Sequence, residues 1–363
     1  MIYGHGDDTY LYQNQTITNF SSNCFAEADN TALISHLKRK MGELIAGYPH
    51  PEAQELKDVI AKRFATSPSR ISVFNGATEA IYNIARDLEK KTSLIVGPTF
   101  SEYEAGATLY KHDIIHFNDR KAVLRGEKQT TSPEWIAELD EAIATLKESA
   151  LIWICNPNNP DGQCFPKKQL MKLIQSNPDH NFIVDQSYAP FTAAEVLDIN
   201  NPFKNVLIIH SLTKQYAIPG LRLGYVTGDE HLIQMLDRNR MPWSVNALAI
   251  EAGVFLLSEE KSFAPTAEML RQEMDWLANA LHATGTVECF ESDTHYFLAR
   301  LKRGDAARLK EQLALDYGLL IRNAENFAPH YKGYFRIAVK SASENRRLSD
   351  AFASLIDNNK LGV

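Results

Sequence analysis

Cysteine is scarce in this chain. The 363 residues hold four, Cys24, Cys155, Cys164 and Cys289, and none sits at the spacing of a disulfide framework or a zinc site. Reduced thiols and a cytoplasmic location are therefore expected. Long apolar runs are also missing: Ala150-Leu-Ile-Trp-Ile-Cys155 has the length of a buried strand, not of a membrane span. Basic charge is not in excess. The 38 Lys and Arg against 45 Asp and Glu leave a formal net charge of −7, which speaks against a broad footprint for nucleic acid or an anionic membrane. Clusters such as Lys38-Arg39-Lys40 and Arg346-Arg347 read as solvated helix faces. No internal repeat, low-complexity tract or Gly/Ser linker interrupts the chain, and no His/Cys/carboxylate set has metal-ligand spacing, so no metal is expected. The start, Met1-Ile-Tyr-Gly-His-Gly-Asp-Asp8, lacks the basic-then-apolar pattern of a signal peptide.

What is present is an alternation of short apolar strands and amphipathic helices, the pattern of a mostly parallel sheet covered by helices. Seven strands are predicted: Ile71–Phe74, Leu94–Gly97, Ile114–Phe117, Leu151–Cys155, Phe182–Asp185, Val206–His210 and Leu223–Thr227. Several are apolar throughout, as strands buried on both faces are. Helices are expected at Thr31–Ala46, with Asn30 as cap and Gly47 as stop, from Pro51, at Glu79–Leu88, at Lys167–Gln175 and at Glu230–Arg238. After about Leu257 the order changes to a helix near Ala264–Ala283, then Val287–Phe290 and His295–Leu301, a helix from Asp305, Leu319–Arg322, Tyr334–Val339 and a last helix, Glu344–Ile356. The expected fold class is α/β: a large domain (31–257) with a seven-stranded, mostly parallel sheet between helices, a smaller α+β C-terminal domain (258–363), and an N-terminal segment (1–30) packing with the latter.

One stretch concentrates chemistry. Ser211-Leu-Thr-Lys-Gln-Tyr-Ala-Ile-Pro-Gly-Leu-Arg-Leu-Gly-Tyr225 follows an apolar strand and sets Lys214 among Ser211, Thr213 and Arg222. A lysine amine condenses with an aldehyde. Hydroxyls and an arginine suit a phosphate monoester. An aldehyde and a phosphate on one small molecule describe pyridoxal phosphate. Other polar groups fall at predicted strand ends, where open α/β sheets bind ligands. Asn75-Gly-Ala-Thr-Glu79 opens a helix and is either a phosphate site or a tight turn with a cap. Asn156-Pro-Asn-Asn-Pro-Asp-Gly162 presents Asn159 or is an ordinary loop. Asp185 gains meaning beside Lys214, because a pyridine nitrogen needs a carboxylate. Tyr188 is a donor to the ring's phenolic oxygen or a packed aromatic.

With these motifs the chain resembles the class I/II aminotransferase family of fold-type-I pyridoxal-phosphate enzymes, from His5-Gly6 to Ser341. Within that family, Ser211–Tyr225 and Met241-Pro-Trp-Ser-Val-Asn-Ala-Leu-Ala249 are most similar to threonine-phosphate decarboxylases of cobalamin biosynthesis, with histidinol-phosphate aminotransferases next. The resemblance implies that Lys214 forms the Schiff base and carries protons, that Asp185 pairs with the pyridinium, and that Asn159 and Tyr188 hold the phenolic oxygen. It implies that Tyr103 stacks on the ring and that Gly76, Ala77, Thr78, Ser211, Thr213 and Arg222 form the phosphate site. Tyr48 would reach that phosphate from a partner subunit, which implies a homodimer with a shared site. Arg336 would take the substrate carboxylate and Arg322, with His5 and Asn23, a substrate phosphate. The other reading of Arg322 and Arg336 is two surface arginines on edge strands. Three departures from the family pattern stand out: Asp161, whose side chain either charges the cofactor turn or points to solvent, Gln186, and Ser21-Ser-Asn-Cys-Phe25 in the N-terminal loop.

The resemblance implies decarboxylation of O-phospho-L-threonine to an aminopropanol phosphate. The alternative is transamination of a phosphorylated amino acid such as histidinol phosphate, with 2-oxoglutarate as acceptor. More remote is a non-catalytic binding module, which would be expected to lose Lys214 or Asp185. The α-carbon bond held perpendicular to the ring is the one that breaks, so Arg336, Arg322 and the N-terminal segment decide between carboxylate and hydrogen.

Overall fold

The apolar segments pair as their burial demands. A computed structural model describes residues 7–12, 16–88, 90–118, 132–258, 267–328 and 331–357. After a two-residue strand, β1 (Thr18–Asn19), seven strands form one sheet. They are β2 (Ile71–Phe74), β3 (Thr92–Gly97), β4 (Asp113–Asn118), β5 (Ala150–Cys155), β6 (Asn181–Asp185), β7 (Val206–Ser211) and β8 (Gly224–Gly228). Their order is β2-β8-β7-β6-β5-β3-β4, and β8 alone runs against the other six. All six remaining strands therefore end at one edge.

Side chains alternate across this sheet with period two. In β5, Leu151, Trp153 and Cys155 face one core with α3 (Gly76–Asp87) and α4 (Glu102–Leu109), while Ile152 and Ile154 face α5 (Pro133–Ala144) and α6 (Lys167–Ser176). A third core joins α1 (Thr31–Ala46), α2 (Gln54–Phe64) and the apolar helix α9 (Ala247–Ser258) to β2 and β8. Between them lie the four-residue α7 (Leu212–Gln215) and α8 (Glu230–Arg238).

The C-terminal part is an antiparallel sheet of order β12-β13-β10-β9, from β9 (Val287–Cys289), β10 (Tyr296–Leu301), β12 (Arg322–Asn323) and β13 (Tyr334–Ala338). Leu277 and Leu281 of α10 (Ala267–Ala283), Leu309 and Leu313 of α11 (Ala306–Tyr317) and Leu348 and Phe352 of α12 (Ala342–Asp357) cover it. The fold class is as expected, and helices at 102–109, 133–144 and 247–258 are added.

Three local expectations are corrected. The strand expected at Leu319–Arg322 is two strands: β11 (Leu319–Leu320) pairs in parallel with β1, then the chain changes partner so that β12 pairs with β13. The helix expected from Pro51 starts at Gln54, because Ala53 takes a left-handed φ of 53° and ends the preceding turn. Asn30 stands at the N-cap position of α1, as expected, but its side chain does not cap the helix; its amide donates instead to the Tyr216 and Ala217 carbonyls, tying α1 to the lysine segment. Among the described residues no helix is long and apolar enough to cross a membrane.

Candidate active site

The shared strand edge carries a cavity of about 320 Å³ lined by groups from both sheets. Its base is the segment after β7. Lys214 lies one residue before the end of α7 and lines the cavity, with Ser211 and Thr213 beside it. Their hydroxyl oxygens are 2.6 Å apart. Arg222 takes a left-handed φ of 57° and lays its guanidinium against Gly76, the first residue of α3. Gly76 itself has φ +84°, and a Cβ there would stand 2.7 Å from Arg222 Nη2, so both backbone and side-chain space require glycine. Ala77 and Thr78, at the start of α3, line the cavity next to it. Two hydroxyls, a guanidinium and a helix N-terminus thus converge, a donor set that matches a phosphate group.

Asp185, the last residue of β6, is 4% exposed. Its Oδ1 accepts from the Ser187 N–H (2.9 Å) and its Oδ2 from the Tyr103 hydroxyl (2.7 Å). Burial holds its pKa above the usual carboxylate range, against the pull of those bonds and of Lys214. A carboxylate in this position is short of positive charge and suits a cationic N–H in the cavity. Tyr103 lines the cavity while its ring stacks on Trp153 at 5.4 Å, and burial pushes its phenol well up. Tyr188 lines the same wall, its hydroxyl accepting from Asn23 Nδ2 at 3.2 Å.

The opposite wall is cationic. Arg322 and Arg336 are cross-strand partners on β12 and β13, and both line the cavity. They are 6% and 4% exposed, so neither is a surface arginine; Arg322 is on the edge strand β12, as the alternative reading had it, and Arg336 is on the inner strand β13. Arg336 donates from Nη1 to Asn159 Oδ1 and from Nη2 to the Ser21 carbonyl (2.6 Å). Its Nε has no partner among the described residues. Arg322 donates to Asn326 Oδ1 at 2.8 Å and lies over the Phe327 ring. Burial first, then the neighbouring Arg336, lowers the Arg322 pKa to about 10. Two like charges held side by side out of water favour an anion between them.

The remaining expected residues fall as follows. Asn159 lines the cavity, but its Oδ1 serves Arg336, so only its Nδ2 can donate to a ligand. Asn23 lines the cavity beside Tyr188. His5 lies outside the described residues. Tyr48 is 88% exposed and absent from the cavity wall, its ring tilted against Trp243 at 5.3 Å between centres. Asp161 does not point to solvent. It is 5% exposed and accepts from Asn158 Nδ2 (3.0 Å) and the Gln163 N–H (3.1 Å), and burial raises its pKa to about 6. Gln186 is also buried and donates to the Leu197 carbonyl at 3.2 Å.

Three residues were not anticipated: Asp7, which lines the cavity, and His295 and Lys340, which hold the Asn23 and Ser22 carbonyls at 2.9 and 3.2 Å. Asp7 lies two residues after His5 in sequence. His295 and Lys340 act on backbone across a tertiary contact, and no motif announces that.

Comparison with known proteins agrees with this geometry. The family model described as aminotransferase class I and II matches residues 15–352. Threonine-phosphate decarboxylase of Salmonella typhimurium is 31% identical, over 90% of this chain and 86% of its own. Histidinol-phosphate aminotransferase of Desulfitobacterium hafniense is 29% identical, over 88% of this chain and 87% of its own. The crystal structure of L-threonine-O-3-phosphate decarboxylase from Porphyromonas gingivalis superposes with a TM-score of 0.84 at 32% identity, covering 94% of this chain and all of that one.

Proposed function

The chain belongs to the class I and II aminotransferases, a pyridoxal-phosphate-dependent family, and from that premise we propose that it decarboxylates O-phospho-L-threonine to an aminopropanol phosphate and carbon dioxide. Bound in the cavity, pyridoxal phosphate supplies an electron sink for breaking a bond at the substrate α-carbon. The residues present fit that group. Ser211, Thr213, Arg222 and the first turn of α3 at Gly76, Ala77 and Thr78 form an anion cradle that a Cβ on Gly76 would fill. Asp185 would offer its buried carboxylate to the ring nitrogen, Tyr188 and Asn159 would donate to the phenolic oxygen, and Tyr103 would be an aromatic neighbour of the ring. Lys214, which lines the cavity, would offer its amine to the aldehyde and would afterwards carry the proton that replaces the departing carboxylate on the α-carbon.

The observation that carries the substrate class is the pair of buried arginines. Arg336 takes the α-carboxylate and Arg322 the substrate phosphate, so one molecule with two anions neutralises both. The divisions expected near residues 30 and 257 then gain a purpose: the large domain holds the cofactor, and the other two segments hold the substrate. A second copy of the chain completes the site. Tyr48 lies against Trp243, and both are exposed; Ile34, Met41 and Ile45, which helical spacing sets on one side of α1, and Met241 are exposed too, and these apolar side chains are what the partner would cover.

The test supplies pyridoxal phosphate and O-phospho-L-threonine to the purified protein. Carbon dioxide is expected in step with aminopropanol phosphate. No carbon dioxide, together with 2-oxoglutarate-dependent loss of the amino group of histidinol phosphate, overturns the decarboxylase reading in favour of transamination, the activity named by the second group of relatives.

A further inference from the structure

The loop between β1 and α1 bridges the two walls of the cavity. Four successive carbonyls accept from the small sheet or its flank: Phe20 from the Ala338 N–H (2.9 Å), Ser21 from Arg336 Nη2 (2.6 Å), Ser22 from Lys340 Nζ (3.2 Å) and Asn23 from His295 Nε2 (2.9 Å). On its other side the loop donates to the lysine segment, from the Phe25 N–H to the Lys214 carbonyl at 3.0 Å, and from Asn23 Nδ2 to the Tyr188 hydroxyl at 3.2 Å.

The contact between His295 and the Asn23 carbonyl fixes a proton. A carbonyl only accepts, so His295 carries its proton on Nε2. The ring is 1% exposed, and its pKa is lowered to about 3 by burial, which leaves it a neutral donor. It is clamped against Phe191 at 3.9 Å between ring centres. Asn23, 2% exposed and held by that bond, aims its amide at Tyr188. A phenol has one proton to give and two lone pairs. With Asn23 filling a lone pair, the Tyr188 proton is left for an acceptor on the cavity side, where Tyr188 is part of the wall.

We infer that Asn23, oriented by His295, is a positioning residue that turns the Tyr188 hydroxyl proton toward the phenolic oxygen of the cofactor and strengthens that donation. The inference rests on the cofactor reading above. It gives Asn23 a place between the substrate-side loop and the cofactor, where the resemblance had put it at the substrate phosphate.

The readout is optical. A donor on the phenolic oxygen weakens that oxygen's share of the proton it holds with the Lys214 nitrogen, and so lowers the apparent pKa of the visible band. In Asn23→Ala, titrated after loading with pyridoxal phosphate, that pKa should rise by about half a unit, a fraction of one hydrogen bond. Asn23→Asp should raise it further, since an ionised carboxylate takes the Tyr188 proton for itself. His295→Phe keeps the ring packing, loses the donor and should shift the pKa the same way by less. A wild-type band with unshifted pKa in all three variants overturns the inference and leaves the cofactor reading standing. Absence of any band in the wild type overturns both.

Discussion

The two walls of the cavity are built in opposite ways. The lysine wall comes from one sheet: Ser211 ends β7, Thr213 and Lys214 follow within three residues, and Asp185 ends the adjacent strand. Ladder hydrogen bonds fix their spacing, because Asp185 and Ile209 are register partners. The arginine wall is an assembly. Arg336 reaches a turn of the large sheet through Asn159 and the N-terminal loop through Ser21. Its position depends on how three separate segments dock. On the proposed function the difference teaches where the choices would lie: the lysine wall would hold the cofactor chemistry, and the arginine wall would select the substrate and the bond presented. A change in the first should abolish activity toward every substrate, whereas a change in the second should redistribute it.

Lys214→Ala breaks the comparison most sharply. Removing the amine should cost at least about a thousandfold in turnover on any substrate, and the visible band of the loaded protein should vanish with it. An intact band in this variant would remove Lys214 from the site. Asp185→Asn comes next. The amide keeps one oxygen, for the Ser187 N–H, and turns its NH2 toward the Tyr103 hydroxyl, which can accept; it loses the charge facing a ring nitrogen, and turnover should fall about a hundredfold or more. The same variant removes a carboxylate whose pKa is raised by burial. Without cofactor it should therefore unfold at higher denaturant than the wild type at neutral pH, so activity and stability should move in opposite directions.

Arg322→Met sharpens the other half. Its loss should lower kcat/KM for O-phospho-L-threonine by about thirtyfold or more, as for a truncated buried charge partner, and barely change it for unphosphorylated threonine. Arg336→Met should lower both alike, because both substrates carry the α-carboxylate. Equal losses on the two substrates in Arg322→Met would mean that this arginine does not read the phosphate.

This contrast also explains what was legible in the sequence. The seven strands and the residues at their ends were readable because buried strands are apolar runs and their ends are local in sequence; Val206–His210 became Val206–Ser211, and Lys214 followed. The pairing of Arg322 with Arg336 was not readable, because it needs the partner change after β11 that brings β12 onto β13. His295 and Lys340 escaped for a similar reason: both serve loop carbonyls, and a carbonyl leaves no trace in a residue pattern. Asp161 showed itself as a departure, but only the tertiary structure says that it is buried.

Asp161 lies on the seam between the two walls, and its expected effect is on stability. The turn that carries it is bolted to the small sheet: the Tyr296 hydroxyl donates to the Asn158 carbonyl at 2.8 Å, the Asp293 N–H donates to the Gly162 carbonyl at 2.9 Å, and a Cβ on Gly162 would stand 2.9 Å from the Tyr296 carbonyl oxygen. Burial raises the Asp161 pKa to about 6, against hydrogen bonds from Gln163 and Asn158 and with Asp293 adding repulsion. A carboxyl whose folded pKa exceeds its unfolded one binds its proton more tightly when folded. Its contribution is complete below about pH 4 and is lost as the pH rises through about 6, a change of up to about 3 kcal/mol. Asp161→Asn keeps an oxygen for both donors and removes the titration. In denaturant melts the variant should be more stable than the wild type at pH 7.5, and the gain should disappear at pH 4. A gain of equal size at both pH values would show that packing is responsible, and no gain at pH 7.5 would show that the seam accommodates the charge without cost.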